Sequence, residues 1–286
     1  MHQGPVADPP AQTRIPSLSE GIPGYARQSK PDARDHHGTA APATSQAALE
    51  RLLSSARLKP YIAATGGEVQ LAADLYLWAT QLAGALHAQI SFVEIAIRNA
   101  IDPELAAWNT VAGGSPEWSR SGATAEPLYS LLRRPLSEAR KRADQQASER
   151  GPAHHRHGQP ATHDDVVAQL MFGSWVRLVR PVSIAESPAR QRLLWEAAVH
   201  RAFPNAPQDD SSRVAVGDQL EMLRRLRNRI AHHDNLLAVD VRHRLNGMLA
   251  LLAKIDDRYP ALAAARSTLR RLIREDPRRA RGDLRR

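Results

Sequence analysis

The sequence of 286 residues predicts an all-α protein: a helical bundle with a disordered N-terminal segment and a basic C-terminal tail. Three observations predict this fold class. Apolar residues recur at steps of three and four over long segments, as they do along one face of a helix. No segment shows the period-two alternation of a half-buried strand. In the second half of the chain, the connections between helical segments are short, which is typical of a bundle.

The first 44 residues are predicted to be disordered. They hold seven of the twenty prolines and little apolar content, a composition that buries too little surface to fold. Structure is expected to begin near Thr44 and Ser45, whose hydroxyl groups can cap the first helix. We therefore divide the chain into a disordered segment (1–44), a helical domain (45–258) and a C-terminal helix with a basic tail (259–286).

The strongest periodic pattern runs from about Val69 to Trp108. It predicts one long helix, or two helices broken between His87 and Ser91. Pro103 predicts a kink or an early end, because proline lacks the amide proton of the helix ladder. Further helices are predicted over residues 128–148 (a surface helix), 162–180, 188–203, 212–232, 239–257 and 261–275.

The composition excludes several kinds of chemistry. The chain has no cysteine, which excludes disulfides, iron–sulfur clusters and thiol nucleophiles and fits a reducing cytoplasm, the expected location. No apolar stretch approaches the roughly 20 residues that span a bilayer. The N-terminus lacks the basic and apolar regions of a secretory signal. We therefore expect no membrane partner, and nothing in the sequence predicts a cofactor.

The formal charge is +9, and most of the excess lies at the C-terminus. Between Arg266 and Arg286 there are nine arginines against three acidic residues. Such a tail can bind phosphate backbones without sequence preference. Alternatively, it is a solvated, frayed end with no specific role.

The candidate site lies in the predicted helix that ends at His232. The apolar stripe of this helix consists of Val216, Leu220, Leu223 and Ile230. Arg227 occupies the position that would complete the stripe. A guanidinium group on a buried stripe is costly unless an anionic group pairs with it. Arg227 is therefore expected either to meet an internal carboxylate or to face a cleft.

The residues that follow Arg227 extend the candidate site. Asn228 lies one turn before His232, where an amide can hold an imidazole in a chosen orientation. A simpler alternative stays open. Cations are favoured in the last turn of a helix, and Arg227, Arg229, His232 and His233 all fit that preference.

A second polar cluster lies in the long helix. Glu94 and Arg98 are spaced four residues apart, in the order that favours a helical ion pair, and Asn99 follows them. Ile97 and Ile101 flank the pair on the apolar side. The cluster could be the partner of Arg227, or it could be an exposed salt bridge within one helix.

The histidines of one polar loop suggest a metal site as an alternative. His154, His155, His157 and His163 could together hold zinc or nickel. Their spacing fits no defined site, so no metal site is predicted. No Ser-His-Asp or paired-carboxylate arrangement follows from spacing either.

Two segments together resemble a known family. Residues 93–101, with Glu94, Arg98, Asn99 and Ile101, resemble the "E-x-x-x-R-N-x-I" helix of the Abi-like (abortive infection) proteins of bacteria. Residues 227–232 resemble their "R-N-x-x-A-H" motif, the version of the HEPN signature found in this family. The segments Leu75–Trp78 and Phe172–Trp175 also agree, and the resemblance covers about residues 46–258.

The resemblance implies a HEPN-like helical bundle that dimerises and, in many members, cuts RNA without a metal. It makes Arg227 and His232 the catalytic pair of a cleft shared by two subunits, with Asn228 as the polar residue after the arginine. Glu94, Arg98, Asn99 and His233 are candidate supporting or substrate-binding residues. Other members of the superfamily only bind their targets.

The expected function is therefore that of a metal-independent endoribonuclease, acting in phage abortive infection or as the toxin of a toxin–antitoxin pair. His232 would be the acid and base for attack by the RNA 2′-hydroxyl, and Arg227 would stabilise the phosphorane. The expected partners are RNA, a second copy of the chain and, for a toxin, its antitoxin. The alternative is a non-catalytic helical module that binds RNA or a protein partner.

Overall fold

The computed structural model describes residues 46–183 and 186–281. This part of the chain contains eleven α-helices and two short 3₁₀ turns, joined by loops. No strand occurs in this part, so the predicted all-α fold class is confirmed. The helices are α1 (Gln46–Leu53), α2 (Ser55–Ala64), α3 (Val69–Val111), α4 (Leu128–Ser148), α5 (His163–Ala168), α6 (Phe172–Val179), α7 (Ala189–Ala197), α8 (Asp210–Ala231), α9 (Val241–Ile255), α10 (Tyr259–Ala264) and α11 (Leu269–Arg274). The predicted disorder of residues 1–44 lies outside the described residues.

Helix α3 is the central element of the fold. It is continuous over 43 residues, so the alternative with a break between His87 and Ser91 is wrong. The side chains of its apolar stripe are fully buried, among them Leu75, Leu82, Leu86, Val93, Ile97, Ile101 and Leu105. Pro103 lies inside the helix and does not end it. Because proline has no amide proton, the helix lacks only the one hydrogen bond that residue 103 would have donated to the carbonyl of Asn99.

Two of the predicted helices are each divided into two. Residues 162–180 form α5 and α6, with a break over residues 169–171, and residues 261–275 form α10 and α11. The apolar residues of 162–180 are too many for one face of one helix. The break lets α5 pack on α4 while α6 packs on α7 and α8. The start of α5 is as predicted, because Thr162 and Asp165 form a capping box.

Two other predicted helices have the predicted bounds to within a few residues. Helix α4 agrees with the prediction, and its outer face is charged, but its inner face is a buried stripe of leucines and alanines. The predicted helix over residues 188–203 is α7 followed by a 3₁₀ turn at Val199–Ala202.

Among the described residues, no helix is both long and apolar enough to cross a membrane.

The described part of the basic C-terminal segment is folded. Leu269, Leu272 and Ile273 of α11 are buried, and α11 packs against α3 and α9. The indole N–H of Trp78 donates to the carbonyl oxygen of Leu272 at 2.9 Å. The Arg278 guanidinium lies 5.8 Å from the centre of the same indole ring. The alternative of a solvated, frayed end is therefore wrong for residues 269–279.

Candidate functional site

Helix α8 carries the first half of the candidate site. The side chain of Asp209 caps it, accepting a hydrogen bond from the Ser212 amide at 2.8 Å. The predicted apolar stripe is buried, with Val216, Leu220 and Leu223 fully enclosed and Ile230 8% exposed. Arg227, on the same face, is only half-buried. Its guanidinium group makes no hydrogen bond or ion pair with any described residue.

Arg227 opens onto a groove between α6 and α8. The volume of this groove is about 1080 Å³, and Arg227 and Asn228 lie at its end nearest the C-terminus of α8. Of the two expectations for Arg227, the structure therefore supports the cleft. Seven arginines and four carboxylates line the groove: Arg142, Arg177, Arg180, Arg213, Arg224, Arg225 and Arg227, with Glu138, Glu186, Asp218 and Glu221.

Four of the groove arginines form ion pairs with three carboxylates. Arg224 and Arg225 both bind Glu221, and these hydrogen bonds lower the pKa of Glu221 to about 2. The other two pairs are Arg180 with Asp218, and Arg213 with Asp210.

Three groove arginines have no acidic partner among the described residues. Arg142 donates to the carbonyl oxygen of Gln169 at 2.9 Å, whereas the guanidinium groups of Arg177 and Arg227 make no hydrogen bond there. Two of the groove carboxylates bind elsewhere. Glu138 pairs with Arg134, which lies outside the groove lining, and Glu186 accepts from the backbone N–H of Val182 and a side-chain amide. The groove therefore has an excess of positive charge, which favours an anionic ligand.

Helix α3 brings the second half of the candidate site beside Arg227. Glu94 is half-buried, and burial raises the pKa of its carboxyl group. The positive charges of Arg227, Arg98 and His87 oppose this shift, which places Glu94 within electrostatic reach of all three.

The predicted salt bridge between Glu94 and Arg98 is not formed. Among the described residues, no ion pair within 4 Å joins Glu94 to either arginine. The Nε atom of Arg98 is buried and has no hydrogen-bond partner. A buried donor without a partner is costly and unusual in a native protein. Glu94 and Arg98 thus lie on the α3 side of Arg227 but do not line the groove, and the buried Nε atom of Arg98 is enclosed by the protein.

The end of α8 is a Schellman turn. His233 takes the left-handed conformation, with φ 55°, and its N–H donates to the carbonyl oxygen of Ile230 at 3.0 Å. The next N–H, that of Asp234, donates to the carbonyl oxygen of Arg229 at 2.9 Å. The helix end is thereby closed by backbone hydrogen bonds alone, without help from an imidazole.

Two arginines bind the carbonyl groups beside this turn. Arg229 donates to the carbonyl oxygen of Asn235 at 2.6 Å, and Arg57 of α2 donates to that of His233 at 2.7 Å. The alternative explanation was that cations lie in the last turn because they stabilise the end of the helix. Arg229 fits this explanation, whereas Arg227 does not. The rings of His232 and His233 are exposed and have no partner among the described residues.

The structure brings together some of the predicted site residues and separates others. Arg227 and Asn228 line the groove, but His232 does not. The amide side chain of Asn228 does not hold the His232 ring; the two residues share only the backbone bond from His232 N–H to Asn228 oxygen, at 2.9 Å. Asn99 is exposed and its amide makes no hydrogen bond with a described residue.

Sequence reasoning missed the groove arginines outside α8. Arg142 and Arg177 come from α4 and α6, and nothing in their spacing relates them to α8. One signal was present for Arg177, because it interrupts the otherwise apolar run from Trp175 to Val179. A charged residue within such a run is costly to bury unless a partner or a cleft receives it.

The histidines at positions 154, 155 and 157 make contacts with protein groups and not the arrangement of a metal site. The rings of His154 and His155 stack with their centroids 4.6 Å apart, and His157 bonds to the carbonyl oxygen of Arg150 at 2.6 Å. Among the described residues, no group of three His, Asp or Glu side chains could hold a metal ion. The zinc or nickel alternative has no support from this arrangement.

His163 takes part in a Ser-His-Asp chain that the sequence did not indicate. Its Nε2 atom lies 3.1 Å from Asp102 and its Nδ1 atom 2.8 Å from the hydroxyl of Ser119. The indole N–H of Trp118 donates to the same Asp102 oxygen at 2.8 Å. Ser119 is fully buried, so no substrate can reach its hydroxyl. The chain therefore fastens the start of α5 to α3 and is not a nucleophilic site.

Comparison of the sequence with protein-family models and with curated proteins gave no match, and no solved structure matches this one. The resemblance to the Abi-like proteins therefore rests on the motifs in residues 75–78, 93–101, 172–175 and 227–232 alone.

Proposed function

We propose that this chain is a metal-independent endoribonuclease of the HEPN type, with a site formed by Arg227 and His232 of two copies. One observation carries the proposal. Arg227 lies half-buried on the apolar stripe of α8, has no anionic partner among the described residues, and opens onto an arginine-lined groove. A guanidinium group in that position suits a phosphodiester, whose non-bridging oxygens it can bind in pairs.

RNA supplies the nucleophile of the proposed reaction, its own 2′-hydroxyl group. The 2′-oxygen attacks the adjacent phosphorus, its proton passes to one imidazole, and Arg227 stabilises the charge on the phosphorane. The bond from phosphorus to the 5′-oxygen then breaks, and a protonated imidazole gives its proton to that oxygen. The products are a 2′,3′-cyclic phosphate and a 5′-hydroxyl.

The position of His232 is the reason for proposing two copies. Its ring is exposed and lies outside the groove lining of its own chain. One imidazole cannot easily serve both sides of the phosphorus, whereas a symmetrical pair of chains supplies two. His233 is the other candidate within one chain, and it is also exposed.

Glu94 and Arg98 have supporting roles in this proposal. The Arg98 Nε atom is a donor without a partner, and the Glu94 carboxyl group is within electrostatic reach of Arg227. Asn228 lines the groove beside Arg227 and offers an amide to the substrate. On the basis of the resemblance, we further propose that the chain acts in the cytoplasm. There it would arrest growth during phage infection or after loss of an antitoxin.

A second function is favoured by one observation. Because His232 is absent from the groove lining, the groove arginines alone would suffice for a protein that binds RNA without cutting it. In that case Arg227 would be needed for binding, and His232 would not be needed for anything.

The test uses the purified chain, end-labelled RNA and product analysis for the cyclic phosphate. We expect cleavage by the wild type with a chelator present, and a loss of at least about a hundredfold in Arg227→Ala and in His232→Ala. Arg190→Ala and His243→Ala are the matched controls, because both residues are exposed and lie outside the groove.

Three results would decide between the two functions. Binding without cleavage by the wild type supports the RNA-binding alternative. Cleavage that survives in His232→Ala, or that stops with the chelator, contradicts the proposed mechanism. Growth of cells that express each variant provides the same comparison in vivo, since the proposed nuclease arrests growth only with both residues present.

A further inference from the structure

A second cavity, with a volume of about 440 Å³, lies between α8 and the start of α9. Two arginines and three apolar residues line this cavity and not the groove: Arg229, Arg244, Met222, Leu226 and Val239. Four residues line both the cavity and the groove: Arg180, Asp218, Glu221 and Arg225. The second cavity and the groove are therefore neighbours that share one wall.

The four shared residues form a wall of ion pairs, which we call the α8 ridge. Arg180 pairs with Asp218, and Arg225 pairs with Glu221, which also binds Arg224 of the groove. Asp218, Glu221 and Arg225 are three and four residues apart, so they lie along one side of α8. Three arginines stand against two carboxylates here. An anionic strand that crosses the ridge therefore meets no excess of negative charge.

The second cavity also has positive charge of its own. Arg244 is half-buried, and its guanidinium group makes no hydrogen bond or ion pair with any described residue. Arg229 donates one N–H to the carbonyl oxygen of Asn235, and a guanidinium group has five N–H donors in all. Arg244 thus repeats the feature that marks Arg227, a half-buried cation with no anionic partner among the described residues. Both positions suit a phosphate group.

The groove and the second cavity both combine arginines with accessible apolar side chains. Met171, Val182 and Val214 in the groove are 57%, 57% and 44% exposed. Met222 and Val239 are partly exposed in the second cavity. Single-stranded RNA presents both kinds of surface, since its phosphates are charged and the faces of its unpaired bases are apolar. A duplex hides those faces and presents a convex row of phosphates. The lining therefore favours a single strand.

We propose that the groove and the second cavity form one track for single-stranded RNA, which passes from Arg227 over the α8 ridge to Arg244. RNA as the ligand rests on the proposed function, and the track extends that site beyond the phosphate that is cut. Arg229 and Arg244 hold phosphates that do not react. Affinity therefore depends on RNA length, because a short RNA fills the groove and only a longer one reaches Arg244.

A length series of RNA tests the track. The probes are single strands of about 4–16 nucleotides, the range of site sizes in single-strand binding modules. Their 2′-hydroxyl groups are methylated, which removes the nucleophile, so binding is measured without cleavage. Dissociation constants are compared for the wild type, Arg177→Ala, Arg244→Ala and Arg242→Ala. Arg242 is the matched control, because it is exposed, lines neither cavity, and lies on the opposite side of α9 from Arg244.

Arg244→Ala is expected to bind the shortest RNA as the wild type does and to bind longer RNA more weakly. For the longer RNA, the slope of log K against log salt should fall by about 0.7, the value for one phosphate contact. Arg177→Ala should weaken binding at every length, since Arg177 lies in the groove. Arg244→Lys keeps the charge and should restore the slope. The fold is retained, because Arg244 has no partner to lose among the described residues.

Two results would overturn the track: an Arg244→Ala variant that loses the same affinity at every length, and one that loses none at any length. Duplex RNA that binds as tightly as a single strand of equal length would overturn the choice of a single strand.

Failure of the track can be told apart from failure of the proposed nuclease. The expected length dependence in a chain that leaves unmodified RNA intact would support the track and contradict the nuclease. Cleavage of unmodified RNA by a wild type whose affinity does not depend on residue 244 would do the reverse. A wild type that binds RNA of no length would overturn both.

Discussion

Glu94 on α3 and Arg227 on α8 lie close enough for the arginine to lower the pKa of the carboxyl group, yet no hydrogen bond joins them. Burial raises the pKa of Glu94 by more than Arg227, Arg98 and His87 together lower it. The carboxyl group therefore favours an arginine at this place without occupying its N–H groups. Those groups stay available to a ligand, which a closed ion pair would exclude.

Glu94→Gln is expected to raise thermal stability at neutral pH. Because the folded-state pKa of Glu94 is raised, the fold binds that proton more tightly than the unfolded chain does. Ionisation of Glu94 therefore destabilises the fold as the pH rises above the ordinary value of 4.5. The melting temperatures of variant and wild type should differ at neutral pH and converge below that value. A variant that is less stable at neutral pH would contradict the assignment.

Arg177→Ala is expected to weaken RNA binding and to reduce its dependence on salt. Arg177 lines the groove and has no acidic partner among the described residues, so it is free to neutralise one phosphate. The slope of log K against log salt should fall by about 0.7 for a single-stranded RNA. Arg190→Ala, an exposed arginine outside the groove, is the control and should leave the slope unchanged.

Ser119→Ala is expected to lower stability without changing RNA cleavage. The variant leaves the Nδ1 atom of His163 without its hydroxyl partner in a nearly buried position, at a cost of about 1–3 kcal/mol. Denaturant unfolding measures the first effect and the cleavage assay the second. Loss of cleavage at unchanged stability would show that the Ser-His-Asp chain takes part in the reaction.

Leu272→Ala is expected to destabilise the whole protein, although residue 272 lies within the basic C-terminal segment. Its side chain is 2% exposed against α3, and removing it should cost about 2–5 kcal/mol. Arg270→Ala, exposed on the same helix, should change stability by less than about 0.5 kcal/mol. If neither variant changes the denaturation midpoint, α11 does not belong to the core.

The sequence predicted those features that depend on local periodicity. The buried stripes of α3 and α8 follow from apolar residues spaced three and four positions apart. The breaks within 162–180 and 261–275 did not follow, because they depend on which neighbours each half packs against.

Only the part of the candidate site that lies within one helix could be predicted from the sequence. The unusual place of Arg227 on a buried stripe could be read from spacing alone. Its neighbours Arg142 and Arg177, and the distance of the His232 ring from the groove, depend on how α4 and α6 pack beside α8. No periodic pattern within one segment contains that information.

The continuity of α3 limits how the site can open. Glu94 and Arg98 lie on a helix whose inner face, from Leu75 to Leu105, is the centre of the core, so this wall cannot unfold locally without exposing that core. Backbone amides around Glu94 should therefore exchange with solvent deuterium about as slowly as the most protected amides of the protein. Motion that admits a bulky ligand must instead come from the turn at the end of α8.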